Sequence, residues 1–375
     1  MAIWLFVFKT AGIGLDVWVT HAIASKPGNT TNYADKALIL RIVLVVSAFL
    51  LFTLIWLLFN QYEQTYIWVF VIIGFRQIAE NIRELLIGIL HGLEEMKRHA
   101  SAIIPVDILQ LLVLLASILL FDIKSIIVVS SIILLFSIFR VIRLWMTLRP
   151  LLKLHKDKQV SHLSSLSFSG VAKQSIPIGM TSILALVIGK VDVLMLGQMD
   201  TLTVVANYTF AYLFLEVIVI AFGAIRKALF PRLSNYYNTD IKKFYQLLIP
   251  SAVITAVVGI IVLLFTHVFS DVIIINFYAD KYENSREYLQ ALAYSIPVLL
   301  LATQLGSALV SMQKLQLIIK IQVVAVFINI GLNLLWIPEH SGLGAIWATI
   351  ISYAFTCSLY AFFVFRDVVF GEAQQ

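Results

Sequence analysis

Apolar runs of about twenty residues, separated by short polar stretches, repeat along the whole chain. The run Leu38–Phe59 is typical: it is nearly free of polar side chains and does not alternate. A barrel strand would alternate apolar and polar residues over about ten positions. An uninterrupted run of about twenty instead matches a helix crossing a hydrocarbon core of roughly 30 Å. On this basis the pattern predicts helices at 1–24, 38–59, 66–90, 101–121, 125–148, 171–197, 202–225, 245–267, 286–310, 315–336 and 342–365. The expected fold class is all-α integral membrane, with about eleven transmembrane helices.

Composition supports lipid as the solvent. Hydrophobic residues make up 61% of the 375 and charged residues only 13%, against about 25% charged in an ordinary soluble domain. Backbone groups in lipid must be satisfied within the spanning element, and a helix does this alone. The single cysteine, Cys357, excludes an intrachain disulfide and a cysteine-based metal cluster. The seven histidines are scattered, without the spacing of a helical zinc motif, and no phosphate-binding glycine loop is present. No loop has room for a soluble catalytic domain. The longest stretch on the side opposite the basic loops, 268–285, is short, so the chain reads as a non-enzyme without a resident cofactor.

Charge then orients the helices. The net charge is +6, but the cations are unevenly placed. Lys124, Lys281 and Arg286 are the only ones in one set of loops. Lys9, Arg76, Arg83 and Lys190 fall within predicted helices. The rest lie in or beside the alternate loops and the C-terminal tail, richest over Arg149–Lys173 and Arg226–Lys243. The positive-inside rule places that set, and the C-terminus, in the cytoplasm. The expected setting is a bacterial or archaeal plasma membrane, crossed many times. No nucleic-acid partner is implied.

The chain also resembles itself. Gly88-Ile-Leu-His-Gly-Leu-Glu-Glu-Met-Lys97 ends one predicted helix and opens the next, and Gly306-Ser-Ala-Leu-Val-Ser-Met-Gln-Lys314 does the same later. The offset is near 217 residues, and an even number of helices separates the copies, so the repeat is parallel. Parallel repeats build two-lobed carriers with a substrate path between the lobes. The expected division is an N-terminal lobe 1–148, a Ser-rich cytoplasmic linker 149–170 and a C-terminal lobe 171–375. Aligning the copies pairs 1–24 with 202–225 and leaves 171–197 without a counterpart, so the first lobe is expected to lack its first helix.

Three stretches resemble the polysaccharide (O-antigen and teichoic-acid) flippases of the multidrug/oligosaccharidyl-lipid/polysaccharide (MOP) exporter superfamily. They are Pro177-Ile-Gly-Met-Thr181 through Lys190-Val-Asp-Val-Leu-Met-Leu-Gly197 to Val204–Ala211; Leu229-Phe-Pro-Arg-Leu-Ser234; and Asn329–Pro338 followed by Gly342-Leu-Gly-Ala-Ile-Trp-Ala-Thr349. The resemblance covers essentially the whole chain. It implies a MATE/MOP-like fold of usually twelve or fourteen helices, against eleven here. It also implies that an undecaprenyl-diphosphate-linked oligosaccharide is moved to the outer leaflet by alternating access. The partners so implied are the lipid-linked oligosaccharide, membrane lipids and other membrane proteins of polysaccharide assembly. Rival expectations are a cation-coupled multidrug or small-molecule exporter of the same superfamily and a membrane-embedded polymerase or ligase.

Charges inside helices are the candidate working groups, because each costs about 2.5–3.5 kcal/mol at mid-bilayer on insertion scales. Arg76, Glu80 and Arg83 lie at i, i+4 and i+7, on one helix face, with Glu84 nearby. They either line a cavity or form an ion pair between helices. Lys190 is deeper than Asp192, which is read as hydrated near the outer helix end. Lys9 and Asp16 are expected on one face, and Asp16 is a possible partner of Lys190. Arg76, Arg83, Lys190 and Asn207 are the candidate substrate contacts, since cations suit the implied diphosphate. Asp16, Glu80 and Glu216 are the candidate cavity or coupling carboxylates, with a proton or sodium gradient as the energy source. Glu216 is read as a lone deep carboxylate. Asn329 and Asn333, at i and i+4, are expected to bond neighbouring helices.

Overall fold

A computed structural model describes residues 2–25, 27–59, 64–122, 125–156, 167–278 and 285–371. Among these the chain is helical throughout, with no strand. The helices are α1 (Ala2–Gly12), α2 (Leu15–Ser25), α3 (Thr30–Phe59), α4 (Gln64–Gly92), α5 (Met96–Leu119), α6 (Ile126–Lys156), α7 (Phe168–Met199), α8 (Leu202–Thr239), α9 (Ile241–Tyr278), α10 (Ser285–Ala293), α11 (Ser295–Ser311) and α12 (Leu315–Gly371). Every predicted segment is found as a helix or a bent pair of helices. Among the described residues seven helices are individually long and apolar enough to cross a membrane, and α10–α11, a pair bent by 43°, are long and apolar enough together. α12 bends at Ser341, whose φ of 54° is left-handed, and so supplies two arms that match the two last predicted helices. α4 is also 29 residues long but carries Arg76, Glu80, Arg83 and Glu84 within it.

Three boundaries differ from expectation. The 1–24 segment is broken at Ile13 (φ 39°) and Gly14 (φ 71°), both left-handed. Lys9 and Asp16 therefore belong to separate helices and do not share a face. α6 continues to Lys156 and α8 to Thr239, well past the apolar runs, because polar helix formers carry a helix into water as readily as into loop. Of the expected 149–170 linker, 149–156 is thus helical, while 157–166 lies outside the described residues. Asp240 separates α8 from α9 and caps α9 by accepting the Lys243 backbone N–H at 3.1 Å. That hydrogen bond, with the Lys243 ammonium, holds its carboxyl below the usual range.

The chain divides into two compact units, Met1–Ile183 and Leu184–Gln375, so the boundary falls inside α7. In unit 1 the core runs along α2, α3, α4 and α6, around Leu15, Val19, Leu85, Ile89 and Leu148. α2 approaches α4 at Gly88 and Gly92. Any Cβ at Gly88 would press on the Asp16 carbonyl, and Thr20 Oγ1 donates to the Gly88 carbonyl at 2.8 Å. Small residues four apart permit such close helix contact in lipid, where packing rather than the hydrophobic effect drives association. In unit 2 the two larger cores form around Leu196, Tyr208, Leu289 and Ile337 and around Leu233, Phe244, Leu305 and Val364, with a small third cluster of Ile188, Ala325 and Tyr353.

The internal repeat is visible in the backbone. Glu94 and Gln313 are both left-handed, at φ 60° and 58°. The Glu95 N–H bonds to the Leu90 carbonyl and the Lys314 N–H to the Leu309 carbonyl, each at 2.9 Å. Both are the 6→1 closure of a Schellman turn. Asp122 and Ser341 are also both left-handed, at 49° and 54°. Both pairs are 219 residues apart. The register is therefore 219, not the 217 suggested by matching Lys97 with Lys314. The two units repeat the same backbone turns over α4–α6 and α10–α12.

Candidate functional site

Unit 1 carries a branched network of charges on α4. Arg83 Nε donates to Glu80 Oε2 at 2.5 Å. The other Glu80 oxygen accepts from Ser137 Oγ at 2.9 Å and lies 3.5 Å from Arg140 on α6. Arg140 also reaches Asp107 and Gln110 on α5, at 2.8 and 2.9 Å. Glu84 faces Lys9 of α1 at 3.7 Å. Glu80 is thus committed to two cations rather than free in a cavity. Arg76 differs from its neighbours: among the described residues it makes no hydrogen bond or ion pair, and its Nε is buried without a partner. The predicted face is real, but Glu80 pairs with Arg83 and leaves Arg76 uncommitted.

The helix break is braced by a residue the sequence reading passed over. Arg41 is only 2% exposed. Its Nη2 donates to Asp16 Oδ1 at 2.9 Å and its Nη1 to Asn81 Oδ1 at 3.0 Å. Asp16 is therefore the partner of Arg41, not of Lys190. Arg41 stands three residues into an apolar run, a position that charge counting assigned to topology. Its flanks, Leu40 and Ile42, were the available signal.

Unit 2 holds two polar centres. Lys190 on α7 forms an ion pair with Glu216 on α8, and its ammonium lies 4.3 Å from the Tyr212 ring centroid. Glu216 is therefore not the lone carboxylate expected. Asp192 instead is fully buried, which corrects its reading as a hydrated helix-end group. It accepts hydrogen bonds from the Tyr208 hydroxyl, from Thr349 Oγ1 at 3.3 Å and from the Val193 N–H at 2.8 Å. Among the described residues no cation pairs with it. Asn329 donates to Thr349 on the other arm of α12 at 3.3 Å, whereas Asn333 donates to Asn329 on its own arm at 3.0 Å, so of the two asparagines only Asn329 joins separate helical arms. Asn207 is 3% exposed. Its amide donates to the Thr203 carbonyl and accepts from Ser285 Oγ at 2.8 Å. As a sugar contact it is thus spoken for: it ties α8 to the start of α10. Arg226 donates to Ser307 of α11 at 2.9 Å.

These features define an all-α membrane protein of many spans, built from two repeats, with charged groups held inside the spans. Solved structures share that fold. An outward-facing and an inward-facing multidrug resistance MATE family transporter of the MOP superfamily each superpose with a TM-score of 0.71, at 13% and 14% identity. They cover 96% and 98% of this chain, and 85% and 89% of their own. A MOP superfamily transporter from Pyrococcus furiosus, described as having reversed polarity of its binding pocket, gives 0.71 at 13% identity, covering 96% and 85%. No curated protein matches the chain closely enough to count as a relative. The family profile described as polysaccharide biosynthesis protein matches residues 4–237, and the MatE profile matches 177–335. The chain belongs to the polysaccharide biosynthesis protein family, within the MOP superfamily, and is a transporter rather than an enzyme.

Proposed function

We propose that the protein flips an undecaprenyl-diphosphate-linked oligosaccharide from the cytoplasmic to the outer leaflet of the plasma membrane. The observation that carries this reading is Arg76, a half-buried guanidinium that makes no hydrogen bond or ion pair among the described residues and feels Glu80 only through its charge. A guanidinium left unpaired in a low-dielectric setting is costly, and its planar fork matches phosphate oxygens. Family membership favours a glycan as cargo. Arg76 binds the diphosphate, Arg83 adds charge while remaining tied to Glu80, and Lys190 exchanges Glu216 for the passing phosphate. The lipid tail stays in the bilayer while the charged faces open alternately to the two sides, and the C-terminus lies in the cytoplasm.

Asp192 is the coupling group in this scheme. A fully buried carboxylate ringed by hydroxyls and unpaired with a cation suits a proton or a sodium ion, whereas Asp16, Glu80 and Glu216 already hold cations. The test is surface glycan in cells whose own flippase is deleted. Wild type restores display, and Arg76→Ala present at the same level does not. Equal display by both removes Arg76 and the observation this reading rests on. The MatE match favours a second reading, export of a small molecule. It requires lowered drug accumulation in the same cells with no change in surface glycan.

A further inference from the structure

Lys190 meets two groups of α8 that stand one turn apart on one face. Glu216 holds it as an ion pair, and the face of the Tyr212 ring lies against its ammonium, with the centroid 4.3 Å away. Two more tyrosines hold that ring. Tyr208 stacks beside it, with centroids 6.0 Å apart and planes 27° apart, and spends its own hydroxyl on Asp192. Tyr353, on the second arm of α12, brings its hydroxyl to within 3.5 Å of the Tyr212 hydroxyl. Gly189, the residue before Lys190, gives those two hydroxyls room. A Cβ there would stand 3.3 Å from the Tyr212 oxygen and 3.4 Å from that of Tyr353. Tyr212 and Tyr353 are both buried. Tyr353 packs on Ile188 of α7 and Ala325 of the first arm of α12, so its hydroxyl is aimed at Tyr212 rather than free to swing. One turn before it on the same arm, Thr349 bonds to Asp192.

An ammonium inside a span that gives up its carboxylate is stranded unless another group offsets its charge. A phosphate that reaches Lys190 must displace Glu216 first. The ring face attracts the cation throughout such an exchange, and having no net charge it does not repel the phosphate. We propose that Tyr212 is the platform on which Lys190 exchanges Glu216 for phosphate, and that Tyr353 is a positioning residue acting through Tyr212, holding the ring with its face to the ammonium. The inference rests on the reading above that Lys190 meets a phosphate group. It adds two residues to that step and a physical reason why the ion pair can open.

The probe is inorganic pyrophosphate, titrated by calorimetry into the purified full chain in detergent, with a melting temperature recorded for every variant. Tyr212→Leu removes the ring face and weakens binding about fivefold or more. Tyr212→Phe keeps the face, loses only the hydroxyl and recovers most of that loss. Tyr353→Phe weakens binding to the same extent as Tyr212→Phe, and the double phenylalanine variant no further, because both substitutions remove one shared contact. Melting of the phenylalanine variants stays near wild type. In a Lys190→Ala background none of these substitutions changes the affinity that remains. The proposal is overturned if Tyr212→Leu binds like wild type, if Tyr212→Phe binds no better than Tyr212→Leu, or if the two phenylalanine losses add. Equal weakening by the tyrosine variants with and without Lys190 also overturns it, since their role is then structural. A Lys190→Ala protein that binds pyrophosphate as tightly as wild type, or a wild type that binds none, is a separate result: it overturns the reading of Lys190 as a phosphate contact, and this inference with it.

Discussion

Lys190 and Glu216 form an ion pair between α7 and α8, with the ammonium set against the face of Tyr212. Both side chains retain some exposure, 21% and 37%, so the pair is not sealed in a core. It holds Lys190 in place yet leaves it exchangeable, as a phosphate-attracting cation must be.

The charge swap Lys190→Glu with Glu216→Lys separates these roles. The swapped pair restores the attraction between the helices, so protein level and melting temperature stay near wild type. Glycan display falls about tenfold or more, because the cation no longer sits on α7. Single variants leave one charge unpaired and lower the protein level as well. Immunoblot and surface-glycan staining on the same cells read both effects. Full display by the swapped pair removes Lys190 from substrate contact.

Arg76 and Arg83 are one face of one helix but have different fates. Arg83→Ala frees Glu80, which still has Ser137 and Arg140, and is expected to cost stability of about 1–3 kcal/mol for a lost charged hydrogen bond. Arg76→Ala removes a group with no protein bond, so folding is untouched while transport drops by at least tenfold. Arg76→Lys recovers part of the activity, since a point charge attracts phosphate without the fork. Thermal melting in detergent, alongside the display assay, checks both. A melting drop in Arg76→Ala matching that of Arg83→Ala contradicts this division.

The long helices were legible because a twenty-residue apolar run is a local signal that lipid enforces. What lay beyond the apolar core was not. Nothing in an apolar window marks that α8 continues through Arg226 to Thr239, or that α6 runs to Lys156. The break at Ile13–Gly14 was hidden because both sides of it are apolar. The repeat was found from Gly88 and Gly306, yet its register came from Glu94 and Gln313. These differ in residue type but share a left-handed turn, so backbone geometry outlasted side-chain identity. Among the charged candidates, the pairing of Glu80 with an arginine of its own helix was legible from spacing, but the partners of Asp16 and Glu216 on other helices were not. Pairing depends on which helices adjoin, and sequence spacing does not carry that. Asp192 was misplaced for the same reason: five residues from a helix end is close to water only if no neighbouring helix covers it.

Asp192→Asn tests the coupling role with little change in shape. The asparagine oxygen still accepts from the Tyr208 and Thr349 hydroxyls, and only the Val193 N–H loses its acceptor, so the protein should accumulate and melt only slightly below wild type. Display then ceases to respond to the ion gradient. Comparing wild type and variant at fixed pH with and without sodium, and at fixed sodium with and without a protonophore, tells the two ions apart. A gradient response in Asp192→Asn equal to wild type excludes this carboxylate.

Arg41 supports a prediction about stability alone. Its guanidinium is buried at the α1–α2 break and bonded to Asp16 and Asn81. Removing one partner of a buried pair costs about 3–5 kcal/mol, because the remaining charge is stranded. Arg41→Met should therefore melt far below wild type, and adding Asp16→Asn should recover part of the loss by deleting the stranded carboxylate. A double variant no more stable than Arg41→Met would mean that Asp16 is solvated without Arg41.

Gly14 and Gly179 bring α2 and α7 together within unit 1. A Cβ on Gly14 would overlap the Gly179 backbone, and one on Gly179 would overlap the Ile13 carbonyl group. Both neighbours are backbone, so neither can rotate away, and Gly14 is left-handed besides. A nearby hydrogen bond, from Trp18 Nε1 to Gln174 Oε1 at 3.0 Å, fixes the crossing one turn further on. Forcing a methyl group into such a contact costs about 1–3 kcal/mol, and the left-handed φ adds to it at Gly14. Gly179→Ala is expected to lower the melting temperature and the protein level, and Gly14→Ala to lower both further. Gly197→Ala, on the same helix α7 but with open space around it, should match wild type. Equal melting for Gly179→Ala and Gly197→Ala would show that α7 can shift away from α2 without cost, and that this crossing does not hold the first half of α7 on unit 1.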